Sequence, residues 1–286
     1  MSKDTEHFIE KQDHTQIKHN LLSSVIESSL AIASVYDNRN KEKRHFSYID
    51  LYAGCGEFED ESEGSPLIAY NLISNQLANE KNNISKVSFI ATEQSQINSE
   101  KLKQSLNKVS NTSIHKDKIE ITICDKAWES CKKELEPAIV NSKWGFVFVD
   151  PFSTELNLGE LKRLISKNIF YKDIMILINL SAHERILGLK EDKSLQKISK
   201  YFDSDIRLIK HIKGLYLNEK GFANAQVIQF LIKKAFENLN KDFVINVAIP
   251  GTREGKIEES DRFYLTLITG SLGVANQYLT KYAEIL

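Results

Sequence analysis

The sequence is short of cysteine, and the few cysteines that it has are not paired. Cys55, Cys124 and Cys131 are odd in number and share no CxxC spacing. A disulfide framework or a cysteine-rich zinc site would need paired or regularly spaced thiols, so neither is expected. We therefore expect a reduced, cytoplasmic protein without a metal site.

Long apolar runs are missing as well. No stretch of about 18 apolar residues, the length that a membrane helix needs, occurs in the chain. The N-terminal segment MSKDTEHFIEKQDHTQ is polar and charged, unlike a secretory signal. We expect neither a membrane span nor a signal peptide.

The chain also lacks an excess of one charge. Its 38 Lys+Arg against 39 Asp+Glu give a net charge of -1, so no global attraction to nucleic acid or to an anionic membrane is expected. A polyanion would have to be bound by a local basic surface, although charged runs are usually a solvated face. The candidates for that surface are Lys41, Lys43, Arg44, His45, Lys210, His211 and Lys213.

Apolar material is sufficient for one large α/β domain, since 41% of the 286 residues are hydrophobic. Short apolar segments predict strands at 46–52, 87–91, 119–123, 145–149, 174–178, 243–249 and 262–269. Helical periodicity predicts helices at 14–33, 95–109, 126–140, 157–167, 193–202, 222–238 and 273–284. Ser65 is expected to cap a further helix that begins at Pro66. The basic stretch 209–220 is expected to be irregular.

Apolar strands that alternate with helices are typical of a parallel sheet covered on both faces. The segment PGTREGKIEES between the last two strands suits a hairpin better than a crossover. Five parallel strands and a terminal antiparallel pair predict a methyltransferase-like Rossmann fold over 46–286. We expect an N-terminal helical extension at 1–45 and a helical insertion near 185–240.

The loop after the first strand reads Asp50-Leu-Tyr-Ala-Gly-Cys-Gly, at the place where open α/β sheets bind ligands. A dinucleotide loop would need a third glycine beside the pyrophosphate, but Glu59 occupies that position. Five acids between Glu57 and Glu63 would repel phosphate, at a cost on the order of 4 kcal/mol for each unpaired like-charge contact at about 4 Å. A cationic ligand without phosphate, S-adenosylmethionine, suits the loop better. Its expected binding residues here are Asp50, Ala53, Gly54 and Gly56.

Acidic residues also follow the second and third predicted strands. Glu93 stands where the ribose hydroxyls of such a cofactor would lie, because a carboxylate accepts hydrogen bonds from both. Asp125 stands near the expected position of the adenine amine. The alternative is that both acids only cap the helices that follow them.

The fourth predicted strand ends in Asp150-Pro151-Phe152. Aminomethyltransferases have Asp/Asn-Pro-Pro-aromatic here: the acid and a proline carbonyl orient an exocyclic amine, and the aromatic ring stacks on the base for roughly 1 to 3 kcal/mol. A base in a duplex would have to be flipped out. Asp150, Pro151 and Phe152 are therefore candidate catalytic residues. The alternative is that Asp150 caps the next helix and Phe152 belongs to the core.

Polar residues follow the fifth predicted strand on the same edge of the sheet. Asn179 is a further candidate catalytic residue, as a hydrogen-bonding partner of the substrate. Arg185 would suit a phosphate or a carboxylate. His183 is a candidate proton acceptor, although a lone histidine on a loop is more often only solvated.

These motifs resemble the three-Cys-motif partner protein (TcmP) family over about residues 46–185. The shared stretches are Asp50-Leu-Tyr-Ala-Gly-Cys-Gly, Glu63-Gly64-Ser65-Pro66-Leu67 and Val149-Asp150-Pro151-Phe152, which are similar to "DLFAGPG", "GSP" and "DPFG". Cys55 and Ser153 depart from that pattern, which has proline and glycine there. The resemblance implies a methyltransferase-like fold and a companion protein with a three-cysteine motif. The loop is also similar, more distantly, to the ribosomal-RNA adenine methyltransferase J family.

The leading hypothesis from the sequence is an S-adenosylmethionine-dependent methyltransferase that acts on an amine of a DNA or RNA base. A second hypothesis is a non-catalytic partner or sensor subunit on the same fold, in a phage-related or antiphage operon. A third is a small-molecule methyltransferase, because the near-neutral charge gives no reason to prefer a polyanion. The acidic insert 57–63 has no assigned role, and we expect a substrate lid or a partner contact there.

Overall fold

The computed structural model describes most of the chain. The described residues are 13–35, 44–80, 82–151, 156–168, 171–188, 192–216, 223–237, 239, 241–253 and 256–285. Predictions that concern Lys41, Lys43, Phe152, Ser153 and the side chain of Lys213 lie outside these described parts.

A seven-stranded sheet forms the centre of the fold, in the order β3-β2-β1-β4-β5-β7-β6. Its strands are β1 Arg44–Asp50, β2 Ile84–Thr92, β3 Ile119–Cys124, β4 Trp144–Val149, β5 Tyr171–Asn179, β6 Phe243–Arg253 and β7 Lys256–Thr269. Strands β1 to β5 are parallel, whereas β7 is antiparallel to both β5 and β6. This arrangement confirms the predicted methyltransferase-like Rossmann fold with its terminal antiparallel pair.

Ten α-helices surround the sheet in the described parts of the chain. They are α1 Asp13–Val35, α2 Ser65–Leu77, α3 Gln96–Thr112, α4 Lys132–Asn141, α5 Leu158–Ile165, α6 Leu180–Gly188, α7 Asp192–Phe202, α8 Ile206–Tyr216, α9 Ala223–Phe236 and α10 Leu272–Ile285. None of these helices combines the length and the apolar character that a bilayer crossing needs.

The central strands are rich in apolar residues because both faces of the sheet are covered. All six residues of β4 are buried, and successive side chains of a strand point to opposite faces. Phe146 and Phe148 pack with α1, α2, α3 and α10, whereas Val147 and Val149 pack with α4 to α9. The N-terminal helix α1 is therefore part of the core. Helices α6 to α9, between β5 and β6, pack on the second face.

The basic stretch at 209–220 was expected to be irregular, and this prediction is wrong for its first part. Helix α8 extends over Ile206–Tyr216, with Ile209 and Ile212 buried one turn apart. Gly214 is exposed within this helix, and a Cβ there would meet no atom within 4 Å. Ile206 and Leu208 pack against the same apolar cluster, so neither the glycine nor the charges interrupt the helix.

Two predicted helix starts also differ from the structure. Gly64, and not Ser65, is the N-cap of α2, because the Ser65 hydroxyl donates instead to the Asp50 carboxylate at 2.8 Å. Helix α4 begins at Lys132, later than expected. A short 3-10 turn at Trp128–Ser130 precedes it and buries the indole ring.

The predicted basic surface does not include Arg44 and His45. Arg44 is buried, and its guanidinium group donates a hydrogen bond to the carbonyl of Ala33. His45 is half-buried and is hydrogen-bonded to the Ser88 hydroxyl at 2.8 Å. Of the candidates on α8, Lys210 is exposed.

Candidate functional site at the carboxyl edge of the sheet

The strand order places the ends of β1 and β4 at the point where it reverses, which is where open α/β sheets bind ligands. The loop after β1 bends there through two glycines in the left-handed region, Gly54 at φ 65° and Gly56 at φ 83°. The Gly54 amide donates to the Glu93 carboxylate at 3.0 Å, and the Gly64 amide donates to the Gly56 carbonyl at 2.8 Å. Hydrogen bonds thus hold the loop in place at both of its glycines.

Glu93 is the acid that joins the glycine loop to the end of β2. Its side chain is buried, with 7% exposure, and accepts from the amides of Gly54 at 3.0 Å and Ser95 at 2.7 Å. A carboxylate offers about four acceptor positions, which suits a residue that joins several groups. Glu93 also lines the cavity described below. Of the predicted cofactor residues, it has the geometry best suited to a ligand hydroxyl pair.

Asp50 is fully buried at the end of β1. Its carboxylate accepts hydrogen bonds from the Ser65 hydroxyl at 2.8 Å, and from the Tyr48 hydroxyl and the Tyr52 amide, both at 3.2 Å. Burial raises its pKa to about 6, and the nearby Asp150 charge acts in the same direction, while the hydrogen bonds oppose the shift. Asp50 therefore joins β1 to the first turn of α2, and it does not line the cavity.

Asp150 follows β4 and is partly exposed. Its carboxylate forms an ion pair with the ammonium group of Lys18 on α1, and the two side chains are 19% and 13% exposed. The charge of Asp150 is close enough to influence Asp50. The structure thus brings together two predicted site residues, Asp50 and Asp150. Pro151 beside them is partly exposed.

Asn179 ends β5 and turns the chain into α6. Its side-chain oxygen accepts from the Ala182 amide at 2.9 Å and from the Ser181 hydroxyl at 3.3 Å. This is the bonding of a helix N-cap, so at least the oxygen of Asn179 has a structural role.

His183 was a candidate proton acceptor on a loop, with simple solvation as the alternative, and the loop placement is wrong. The residue lies within α6 with 1% exposure, and its Nδ1 is 2.6 Å from the carbonyl oxygen of Asn179. Its ring packs edge-on against Tyr201 at 4.3 Å between centroids. Burial lowers the pKa of His183, so a proton is bound less readily there than on a free imidazole.

A cavity of about 540 Å³ opens beside Glu93 at the ends of β1, β2 and β3. Its wall comes from these strand ends, from the turn before α4, and from one face of α7. The lining residues are Leu51, Tyr52, Thr92, Glu93, Gln94, Lys126, Ala127, Trp128, Glu129, Leu156, Lys197, Lys200 and Tyr201. Trp128 Nε1 donates to the Tyr52 hydroxyl at 3.0 Å, which fixes two of the aromatic walls.

Asp125 lies next to this cavity along the chain but does not line it. Its side chain is 53% exposed, and the nearest cation is Lys103 Nζ at 3.9 Å. The residues that follow it, Lys126 to Glu129, line the cavity instead. Trp128 and the three lysines of the wall were not predicted from the sequence. The one local indication of this site was an aromatic residue, Trp128, inside a polar segment.

The acidic insert 57–63 is a small hairpin. Glu57 and Glu63 form an antiparallel bridge, and the Phe58 amide donates to the Ser62 carbonyl at 2.9 Å. The Phe58 ring lies 6.3 Å from the His19 ring on α1. None of the five acids of the insert, all of them described, lines the cavity. The expected repulsion of phosphate therefore does not come from the cavity wall.

The strand order, the antiparallel β7 and the glycine loop at the strand-order switch define a Rossmann-like methyltransferase fold. No family model and no curated protein matches the chain. Among solved structures, it is similar to the methyltransferase domain of bacterial CtHen1-C, with TM-score 0.43 and 10% identity over 88% of this chain and 98% of that one.

Two further solved structures are similar at the same low level. The METTL16 MTase domain has TM-score 0.37 and 11% identity, over 86% of this chain and 65% of that one. Precorrin-6y C5,15-methyltransferase from Geobacter metallireducens GS-15 has TM-score 0.35 and 10% identity, over 87% of each chain. At this identity the likeness concerns the fold alone.

Proposed function

We propose that this protein is an S-adenosylmethionine-dependent methyltransferase that acts on an amine of a nucleic-acid base. The observation that carries the proposal is the position of Asp150. Its carboxylate lies at the end of β4, next to the buried Asp50 that anchors the glycine loop, and it is partly open to solvent. A carboxylate at this edge can accept a hydrogen bond from a substrate amine.

The residues at the carboxyl edge fit the cofactor. Glu93 would accept from the ribose hydroxyls, since it lines the cavity and a carboxylate can accept several hydrogen bonds. Gly54 and Gly56 have positive φ angles that favour glycine, and they shape the loop at the strand-order switch. A Cβ at Gly56 would meet Leu102 of α3, so this glycine would support the loop rather than touch the cofactor. Asp125, which is half-exposed, would meet the adenine amine at the outer side. The bound cofactor supplies an electrophilic methyl group.

The reaction needs a nucleophile that is held and then loses a proton. Asp150 would accept one N–H of the base amine, which directs the nitrogen lone pair away from the carboxylate. Lys18 holds the carboxylate in place through the ion pair. The proton that the amine gives up would pass to Asp150 or to solvent.

Calorimetric titration and methyl-transfer assays test this proposal together. Wild-type protein should bind S-adenosylmethionine, and Gly54→Asp should abolish binding, because it adds a carboxylate beside Glu93 in a strained backbone region. Asp150→Asn should keep cofactor binding and lose methyl transfer. Asp117→Asn, at an exposed position in the turn before β3, is the control and should change neither. No heat on titration into the wild type would contradict the proposal.

A non-catalytic partner or sensor is the second candidate, and the Lys18–Asp150 ion pair is the observation that favours it. The carboxylate expected to meet substrate is already engaged by a protein cation. Such a protein would associate with a three-cysteine-motif companion as strongly in the Asp150→Asn form as in the wild type. Co-purification of both forms with that companion, in parallel with the methyl-transfer assay, separates the two candidates.

A further inference from the structure

The cavity beside Glu93 has a basic wall that the glycine loop does not explain. Lys197, Lys200 and Tyr201 line it from α7, and Lys126 lines it from the end of β3. Residues at positions i, i+3 and i+4 share one face of a helix, so the α7 side chains reach the cavity together. All three lysines are exposed at its opening. Lys197 and Lys200 form no ion pair with any acid of the described chain.

The charge of this wall differs in sign from that of the whole chain. Three lysines line the cavity against two glutamates, Glu93 and Glu129, which leaves a net charge of 3 - 2 = +1. Glu93 is moreover hydrogen-bonded to two backbone amides. The segment 192–216 has six Lys and Arg against three Asp, a net of 6 - 3 = +3, whereas the whole chain has -1. A local basic surface in a near-neutral protein favours an anionic ligand there.

Tyr201 supplies a second, independent observation. The side chain is 2% exposed, lines the cavity, and its hydroxyl has no hydrogen-bond partner in the described structure. A buried hydroxyl without a partner is unfavourable, and native proteins rarely leave one unless a ligand or water completes it. Burial raises the pKa of Tyr201, so the hydroxyl keeps its proton and can donate it in a hydrogen bond.

We propose that Lys126, Lys197, Lys200 and the Tyr201 hydroxyl bind a phosphate group at this cavity. The inference rests on the proposed function and deepens it, since a nucleic-acid substrate carries such groups on either side of the target base. The phosphate group has two sources, the backbone of a single-stranded nucleic acid or a free nucleotide. Lysine ammonium groups bind phosphate as point charges, and the tyrosine adds a directed donor.

The test is a binding assay with two phosphate probes and charge-reversal variants. A fluorescein-labelled single-stranded RNA of mixed sequence is titrated by anisotropy, and AMP by calorimetry. The variant Lys197→Glu/Lys200→Glu is compared with Lys116→Glu/Lys118→Glu, which makes the same charge change on exposed residues. These control residues directly precede β3, so they lie at the amino ends of the strands and not at the carboxyl ends, where the cavity opens. Titration of S-adenosylmethionine into each variant tests cofactor binding separately.

The α7 double variant should weaken probe binding about tenfold or more at low salt, and should lower the slope of log affinity against log salt by about two. The control pair should bind as the wild type does. Lysine-dependent binding of RNA but not of AMP assigns the site to a nucleic-acid backbone, and lysine-dependent binding of AMP assigns it to a nucleotide. Equal effects of the two double variants, or no binding of either probe to the wild type, would overturn the inference.

Cofactor titration keeps this inference distinct from the proposed function. Cofactor affinity in the α7 variant should be unchanged or higher, because the charge reversal removes positive charge from a cavity that also receives a cation. A selective loss of cofactor affinity would show that the lysines serve the cofactor and not a phosphate. Lysine-dependent RNA binding without any cofactor heat would contradict the proposed function but not the phosphate site.

Tyr201→Phe tests the directed donor. It should reduce probe affinity by about tenfold, the usual effect of a lost hydrogen bond to a charged group. Its thermal unfolding should be as in the wild type or at higher temperature, because the hydroxyl has no protein partner to lose. Lower stability with unchanged probe affinity would show that the hydroxyl has only a structural role.

Discussion

The buried carboxyl group of Asp50 should make the stability of this protein depend on pH in a defined window. The replacement Asp50→Asn removes its ionisation and keeps its shape. The Asn oxygen can accept from the Tyr52 amide as Oδ1 does now, and the Asn amide would face the hydroxyls of Ser65 and Tyr48, which can rotate to accept. The fold is therefore expected to tolerate the change.

The magnitude follows from the pKa of Asp50, about 6 in the fold against an ordinary value of 3.8. A raised acid pKa means that the folded state binds the proton more tightly than the unfolded state. Its favourable contribution is present below about pH 4 and is lost as the pH rises to about 6. The difference between the pKa values is 6 - 3.8 = 2.2. At about 1.4 kcal/mol for each pH unit, this corresponds to about 3 kcal/mol.

Urea unfolding followed by circular dichroism, at a series of pH values, measures this effect. The free energy of unfolding of the wild type, relative to that of Asp50→Asn, should fall by about 3 kcal/mol between about pH 4 and pH 6 and then stay level. Asp117→Asn, at an exposed site, should show no such trend. A wild-type stability that stays constant relative to Asp50→Asn across this window, or that rises, would show that the carboxyl group of Asp50 does not have a raised pKa in the fold.

Three further substitutions, one of them with a matched control, test the site. Glu93→Gln should lower the affinity for S-adenosylmethionine roughly 10- to 100-fold in calorimetric titration, because one acceptor of a charged hydrogen bond is lost; unchanged affinity would contradict its role. Gly56→Ala should destabilise the fold by about 1 to 3 kcal/mol in urea unfolding, since φ is 83° and its Cβ would lie 2.9 Å from a Leu102 methyl. Gly214→Ala, in open space on α8, should instead stabilise by about 0.5 to 1 kcal/mol. Lys18→Met should lower the free energy of unfolding by about 1 to 3 kcal/mol, a value between those of exposed and buried ion pairs. It should reduce methyl transfer more than cofactor binding, and equal losses in both would indicate a merely structural role.

Most strands were predictable because the centre of the sheet is buried on both faces, as in β4, where all six residues are buried. The apolar run at 119–123 corresponds to β3, Ile119–Cys124, and the run at 145–149 to β4, Trp144–Val149. A residue on such a strand must be apolar whichever face it meets, so the local pattern is enough. The order of the strands could be inferred from the fold class that this pattern indicates.

The wall of the cavity was not predictable in the same way. Lys197 and Lys200 read as part of an ordinary amphipathic helix, and only the packing of α7 over the strand ends makes them neighbours of Glu93. Ser65 has the sequence signature of a helix cap, but its hydroxyl is taken by Asp50. In both cases the role of the side chain depends on a tertiary contact, and the neighbouring sequence does not indicate that contact.

Asp150 lies at the centre of the account, and nucleoside analysis tests its role most directly. Wild-type protein and Asp150→Asn are incubated with RNA or DNA and methyl-deuterated S-adenosylmethionine, and the digested nucleosides are examined by mass spectrometry. We predict a deuterated methyl group on an exocyclic base nitrogen for the wild type and none for the variant, with cofactor binding retained in both. A wild-type protein that binds the cofactor but labels no base amine, or a variant that labels as efficiently as the wild type, would contradict the account.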